Sequence, residues 1–176
     1  MATETVTPPR PFRNAPSVMQ AAAKLLAPDV MAWAMAEGEQ LTAEDDLPGI
    51  EKELVAAFNR VEYKGLDGYD LAKELEFNCG YSPDAYLVEI LDRAGFVQNT
   101  AHNEAVKNWV MDNKVFVPFK IGDQVYVSRM GQTGGTPALF GRVNEIHAET
   151  ASVTVTIPEM NSSQRVTVPF ELCSRD

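Results

Sequence analysis

The stretch Phe119–Ser128, which reads FKIGDQVYVS, decides how the chain is divided. A loop rich in Gly, Thr and Pro follows it, and then come Leu139–His147 and two shorter runs, Ser152–Ile157 and Arg165–Val168. Apolar and polar residues alternate in these runs, which is the pattern of half-buried β-strands. Four short strands joined by turn residues predict a small, closed or nearly closed barrel over residues 119–176.

Residues 17–114 precede this region and carry the signals of about five or six helices. Ser17 is suited to cap the first helix, Pro28 interrupts it, and Asp29 opens a second. The second helix contains Trp33 and is apolar nearly all round, which predicts a central, buried helix. The alternative is an exposed surface of Met and Trp side chains that receives a partner helix.

Turn residues separate the helices that follow. Leu47-Pro48-Gly49 predicts a turn before an amphipathic helix over Ile50–Val61. Asp67 is the predicted cap of the next helix, and Gly80 its stop.

Two more helical segments complete this half. One is predicted to start with Ser82-Pro83, to bury Tyr86 and to end at Gly95. The last is predicted to start at Asn99 or Thr100. The predicted fold class is therefore α+β, with a helical domain over residues 17–114 and a barrel domain over residues 119–176.

The first 16 residues contain four prolines and few apolar side chains. Such a composition predicts a flexible tail over residues 1–16. The alternative is that Pro8-Pro-Arg-Pro11 is an extended docking peptide for an aromatic groove, for example on the barrel of this chain.

Acidic residues dominate the charge, which is −10 in total. Most of this excess lies before the predicted barrel, and an acidic surface repels nucleic-acid phosphates. Glu44, Asp45 and Asp46 lie in its densest part, residues 37–53, and are a candidate docking patch for a basic protein surface. The alternative is a solvated loop whose acids complement the start of a helix.

No combination of residues predicts a catalytic site, a metal site or a cofactor. Cys79 and Cys173 do not form a C-x-x-C pair, so we expect two free thiols. His102 and His147 stand in no Ser-His-Asp or Cys-His order. The chain also has no apolar run long enough to span a membrane and no signal sequence, which predicts a cytoplasmic protein.

The pattern Gly122-Asp123-x-Val125-x-Val127, a long loop and Gly141-x-Val143-x-x-Ile146 resembles SH3-like small barrels, a layout shared by the KOW and Tudor families. Pro169-Phe-Glu-Leu172 looks like the short turn that closes such barrels. The resemblance implies binding of peptides, RNA or other subunits through the loops that flank the first two strands. Candidate binding residues beside the long loop are Tyr126, Arg129, Phe140 and Arg142.

The sequence thus predicts a non-enzymatic accessory protein that binds another protein through its acidic helical surface and its barrel loops. The first alternative is a nucleic-acid-associated factor whose barrel arginines, Arg129, Arg142 and Arg165, gather on one face. The second is a non-catalytic subunit of an enzyme complex, because the order of a helical part and a barrel faintly resembles the nitrile hydratase β-subunit. Scatter of the arginines among acids favours the protein-binding function over the nucleic-acid function.

Overall fold

The structure is a computed structural model that describes residues 8–38, 42, 45–61, 65–128, 139–158 and 164–175. The fold is mixed α+β, as predicted: helices come first and a curled antiparallel sheet follows. The helices in the described chain are α1 Pro16–Ala36, α2 Leu47–Val61, α3 Gly68–Cys79, α4 Ala85–Leu91 and α5 Ala94–Asp112. None of these helices is long and apolar enough to cross a membrane.

The chain divides by its internal packing into two compact units. The helical unit comprises residues 10–105, and the sheet unit comprises Pro8, Pro9 and the described chain from Val106 onward. The boundary falls inside α5, between Ala105 and Val106. The sequence predicts domain limits at residues 17–114 and 119–176. These limits stay a prediction, which can be tested with fragments of the protein.

Helix α1 runs through Pro28 without a break, so the two helices predicted on either side of it are wrong. The described chain therefore has one helix over residues 16–36 where two were predicted, and five helices where the predicted segments made six. An internal proline removes the hydrogen bond to the carbonyl four residues earlier and costs about 3 kcal/mol. Leu26, Ala27 and Val30 around it are fully buried. Burial of one Leu or Val side chain contributes about 1.5–3 kcal/mol, so this packing outweighs the cost of the proline.

Helix α2 starts at Leu47, where the sequence predicted a turn. The turn lies earlier: the amide of Asp46 donates to the carbonyl of Thr42 over 3.0 Å. Pro48 is tolerated because amides in the first helical turn have no partner within the helix. The predicted buried face of the helix is confirmed, with Leu54 and Phe58 almost completely buried.

The cap and the stop of α3 are confirmed. The Asp67 carboxylate accepts hydrogen bonds from the amides of Tyr69 and Asp70, and Gly80 has the left-handed φ of 77° that ends a helix without steric strain. At the start of α3, a Cβ atom on Gly68 would lie 2.7 Å from the amide nitrogen of Asp92. The first turn of α3 therefore packs directly against the end of α4.

The limits of the last two helices differ from those predicted. Asp84 caps α4 in place of Ser82, and its carboxylate accepts from the Leu87 amide over 2.8 Å. Tyr86 was expected to be buried and is 58% exposed. Helix α5 starts at Ala94 instead of Asn99 or Thr100, because the turn between the two helices comes before Gly95.

The sheet unit has five strands in the described chain where four were predicted. They are β1 Gln124–Val127, β2 Leu139–His147, β3 Ser152–Thr156, β4 Arg165–Pro169 and β5 Cys173–Ser174. The strands form one antiparallel sheet in the order β4-β3-β2-β1-β5. The sheet curls around a core of buried side chains, namely Phe119, Val125, Val127, Val143, Val153, Val155 and Ile157.

The expected closed barrel is corrected to a half-barrel. Strands β4 and β5 lie at opposite edges of the sheet, and β5 contributes only two residues. The strands pack closely at Gly141 of β2: a Cβ atom there would lie 2.8 Å from the Thr156 carbonyl and would overlap the Val155 side chain. Between Val143 and Glu145 the pairing of β2 with β3 shifts register, an irregularity that bends a strand.

Part of α5 packs within the sheet unit. Val106, Trp109 and Val110 form an apolar cluster with Ala151, which has no exposed surface. The indole N–H of Trp109 donates to the carbonyl of Pro8 over 2.8 Å. This segment of α5 thus covers the turn between β2 and β3.

Candidate functional site

A pocket of about 590 Å³ opens in the helical unit, between the end of α1, the start of α2 and the segment that follows α3. Its described lining residues are Trp33, Ala34, Glu37, Asp45, Asp46, Gly49, Ile50, Glu53, Cys79, Gly80, Tyr81 and Ser82. Four of them carry carboxylates and none carries a basic side chain. The pocket is therefore an acidic recess with an apolar floor.

The floor is built by a pair of aromatic rings. Trp33 and Tyr81 stack with their ring centroids 6.0 Å apart and an angle of 14° between the planes. Trp33 is 5% exposed, which confirms its predicted burial, and Ala34 and Ile50 beside it are also buried. The alternative of an exposed Trp surface for a partner helix is therefore wrong for Trp33.

Each ring of the pair donates its polar hydrogen to a carboxylate. The Trp33 indole N–H donates to Asp84 over 3.0 Å, and the Tyr81 hydroxyl donates to Glu53 over 2.8 Å. These bonds satisfy the polar ends of two large side chains and fix the orientations of both rings. Asp84 also caps α4, so one carboxylate joins the pocket floor to the start of that helix.

The carboxylates at the rim are held by a short turn. The Thr42 amide donates to Asp46 over 2.7 Å, and the Thr42 hydroxyl donates to Asp45 over 3.1 Å. Both acids were predicted as docking residues, and the pocket brings them together with Glu53. Glu44, the third predicted acid, lies outside the described residues.

Burial and hydrogen bonds shift the pKa values of groups in and beside the pocket. Burial, strengthened by the bond to Glu53, raises the pKa of the Tyr81 hydroxyl well above its usual range. The bond from the Leu87 amide lowers the pKa of Asp84, and the Trp33 indole assists. Burial and then the charge of Glu53 raise the pKa of the Cys79 thiol. Both upward shifts favour the neutral phenol of Tyr81 and the neutral thiol of Cys79.

A second set of predicted residues lies in the sheet unit. Tyr126 and Phe140 are direct partners across β1 and β2, with ring centroids 5.5 Å apart and planes tilted by 59°. Both rings are half-buried. Arg142 lies two residues along β2 from Phe140 and therefore on the same face. Arg129, the fourth member of the predicted set, lies outside the described residues.

The arginines of the sheet unit have acidic or carbonyl partners. Arg142 donates to the Gly122 carbonyl over 3.1 Å, and Arg165 forms an ion pair with Glu145 at 3.5 Å. Thr156 of β3 pairs with Arg142 of β2 on one side and with Arg165 of β4 on the other, so the two arginines lie on the same face of the sheet. Arg142 and Arg165 thus share this face with Glu145, and Arg129 lies outside the described residues, so the distribution of the three arginines stays a prediction.

The two histidines hold structural positions. His102 lies 3.1 Å from the carbonyl of Pro11 in the helical unit, and its Nε2 must donate in this contact because a carbonyl only accepts. His147 contacts the Thr154 hydroxyl at 2.8 Å in the sheet unit. In the described residues, no group of three or more His, Cys, Asp or Glu side chains is placed to hold a metal ion.

Sequence reasoning missed two members of the pocket, Glu53 and Tyr81. Glu53 lies in the acidic segment of residues 37–53, which was interpreted as a docking patch or a solvated loop, but it was not singled out, and neither was Tyr81. The only local signal is that Tyr81 follows the helix stop Gly80 and so begins an irregular segment. Comparison of the chain with protein-family models, with curated proteins and with solved structures gives no match.

Proposed function

We propose that the chain is a non-enzymatic, cytoplasmic accessory protein whose helical unit binds a basic surface of another protein. One observation carries this proposal: Asp45, Asp46 and Glu53 share a pocket whose described lining contains acids but no basic residue. Glu53 is half-buried and is therefore screened less than a fully exposed carboxylate, because less water and salt surround it. Opposite charge on a partner is the natural complement.

The sheet unit offers a second contact in this proposal. Its strand order, together with the 3-10 turn Phe170–Leu172 between β4 and β5, supports an SH3-like arrangement that is open on one side. The pair of Tyr126 and Phe140 is exposed enough to anchor a partner, and aromatic residues are enriched among the residues that carry binding energy. The pairing of Arg165 with Glu145 supports a protein partner over a nucleic acid.

The proposal is tested by affinity capture from a cell extract, with quantitative mass spectrometry of the retained proteins. Four immobilised forms are compared: the natural protein, the pocket variant Asp45→Asn/Asp46→Asn/Glu53→Gln, the sheet variant Phe140→Ala, and a matched charge control. We expect a basic protein that the natural form and the control retain and that the pocket variant loses. Phe140→Ala should weaken its binding by about 1–2 kcal/mol if the sheet contributes an anchor.

The matched control is Glu76→Gln/Glu89→Gln/Glu149→Gln, in which all three acids are exposed and none lines the pocket. This control separates the pocket from a general loss of negative charge. The proposed function is wrong if the pocket variant retains the same proteins in the same amounts as the natural form. Circular dichroism of every variant shows that a lost partner does not reflect a lost fold.

A further inference from the structure

The floor of the pocket is apolar and its rim is acidic, and this difference indicates which kind of ligand the pocket binds. Trp33, Ala34 and Ile50 are buried and apolar, whereas Asp45 and Glu37 are exposed and ionisable. A guest that matches both regions has an apolar stem and a positive end. Lysine and arginine are the side chains with this construction, since their methylene stems pack on apolar surface while the charge stays near polar groups.

A hydrogen bond to a carboxylate makes Tyr81, the half-buried ring of the floor, more attractive to a cation, whereas Trp33 is buried and supports this ring by stacking on it. Trp33 donates its N–H to Asp84, and Tyr81 donates its O–H to Glu53. A donor that is bonded to an anion is polarised, and this adds electron density to the ring behind it. The negative face of an aromatic ring attracts cations, and this attraction is stronger where water is excluded.

The geometry points to one arginine side chain of a protein partner as the occupant of the pocket. This inference rests on the proposed function, because it names the group of the basic partner that enters the recess. The guanidinium group is planar, so it stacks on a ring such as Tyr81, and its several N–H donors reach more than one carboxylate at a time. An ammonium group is a compact, more strongly hydrated charge and matches the stacked rings less well.

The volume suits this occupant. Pockets of roughly 300–1,000 Å³ hold ligands of drug size, and this one measures about 590 Å³. There is room for one long side chain and the peptide backbone that carries it. Hydrogen bonds from Thr42 orient the carboxylates of the rim acids Asp45 and Asp46, which lowers the cost of ordering them when a ligand binds.

The test uses NMR on the full chain labelled with ¹⁵N, and its readout is the indole N–H signals of the two tryptophans. Trp33 lies in the pocket, and Trp109 lies in the sheet unit and serves as an internal control. The probe is N-acetyl-arginine methylamide. We expect the Trp33 signal to shift and saturate as the probe is added, while the Trp109 signal stays in place.

Two further probes separate charge from shape. N-acetyl-citrulline methylamide has nearly the shape of the arginine probe but no charge, and we expect no saturating shift from it. The lysine analogue should bind more weakly than the arginine probe. An equal response to citrulline, or tighter binding of lysine, overturns the assignment to arginine, and so does a Trp33 signal that does not move.

Variants locate the binding to the pocket. Asp46→Asn/Glu53→Gln should lower the affinity for the arginine probe by about tenfold or more, since hydrogen bonds to charged groups contribute about 1.5–3 kcal/mol. Glu76→Gln/Glu89→Gln removes the same number of charges elsewhere and should leave the affinity unchanged. If both variants bind as the natural protein does, the arginine probe is not held by these carboxylates and the inference fails.

The failure of this inference is distinguishable from that of the proposed function. When the captured partner still depends on Asp45, Asp46 and Glu53 but the arginine probe does not bind, only the arginine assignment is lost. When neither the partner nor the probe responds to the pocket variants, the acidic pocket is not the binding site and both proposals fail. Dispersion of the remaining amide signals shows in each case that the variant is folded.

Discussion

Trp33 of α1 stacks on Tyr81, which follows α3, with 6.0 Å between the ring centroids. The stack joins the first helix of the unit to an irregular segment far along the chain. It also builds the floor of the acidic pocket, so the same contact that stabilises the helical unit positions the proposed binding site. Stability and binding are therefore expected to respond together to changes in this pair of rings.

Replacement of Trp33 by alanine should destabilise the helical unit. The side chain is 5% exposed and its indole N–H donates to Asp84, so truncation leaves a cavity and removes a hydrogen bond. Truncation of a buried aromatic residue costs roughly 3–5 kcal/mol. Urea denaturation measures the loss, and Trp33→Phe, which keeps a ring but not the N–H, should lose less. Unchanged stability in Trp33→Ala would contradict the packing described for this ring.

Neutralisation of the predicted acidic patch should slow association with a basic partner. The change is Glu44→Gln/Asp45→Asn/Asp46→Asn, measured by surface plasmon resonance against the partner captured with the natural protein. Charges at the rim of an interface mainly steer the encounter, so the association rate should fall more than the dissociation rate rises. The effect should shrink as salt rises, because exposed charges are screened beyond about 8–10 Å near physiological ionic strength.

The control for this experiment removes three exposed acids that do not line the pocket: Glu76, Glu89 and Glu149. It should leave the association rate close to that of the natural protein. If the control slows association as much as the patch variant, the overall charge of the protein steers the partner and residues 44–46 have no special part.

Alanine substitutions at two glycines of the helical unit should change its stability in opposite directions. A Cβ atom on Gly68 would lie 2.7 Å from the Asp92 amide nitrogen, so Gly68→Ala forces α3 and α4 apart and should cost about 1–3 kcal/mol. Gly49 in α2 has no atom within 4 Å of the added Cβ, and its alanine variant should gain about 0.5–1 kcal/mol from helix propensity. Thermal melts compare the two, and a loss of stability in Gly49→Ala would show that its surroundings are tighter than described.

The helices show which parts of the fold are readable from the sequence. Asp67 and Gly80 were identified correctly as a cap and a stop, because each acts through its own backbone and its nearest neighbours. Pro28 was misread because its effect depends on side chains that α1 buries against other helices. The local cost of a proline is visible in the sequence, whereas the packing that offsets it is not.

The pocket illustrates the same limit for the candidate site. Asp45 and Asp46 were recognised from local charge, and Trp33 was recognised as buried. Their meeting with Tyr81 was not predictable, since it depends on how the chain returns after α3. The half-barrel likewise follows from the strand order and from the short β5, whereas the alternating pattern predicts only that strands exist.

Both thiols should react slowly with a disulfide reagent such as DTNB in the native protein. Burial, assisted by Glu171, raises the pKa of Cys173 to about 11, and burial also raises the pKa of Cys79. The thiolate is the reactive form, so a pKa two units above the ordinary value of 9.0 lowers its population about a hundredfold at neutral pH. Each thiol should become reactive only at higher pH than an unfolded cysteine does.

Single-cysteine variants separate the two thiols. Cys79→Ser reports on Cys173, and Cys173→Ser reports on Cys79, each measured in buffer and again in urea. Reaction in urea should be much faster, with the larger acceleration at Cys173. Fast reaction of native Cys79 at neutral pH would point to a stabilised thiolate in the pocket, contrary to the direction of its pKa shift.

The last prediction concerns where the sheet unit begins. The composition of the chain changes at residues 115–120, yet Val106, Trp109 and Val110 pack on Ala151 inside the sheet unit. A fragment from Val106 to the C-terminus keeps this cluster, and one from Val115 exposes its partners. Loss of a buried Trp side chain costs roughly 3–5 kcal/mol, so the shorter fragment should unfold at clearly lower urea concentration. Circular dichroism follows the unfolding of both fragments in urea. Equal urea midpoints would mean that the end of α5 is dispensable and that the unit begins at Val115.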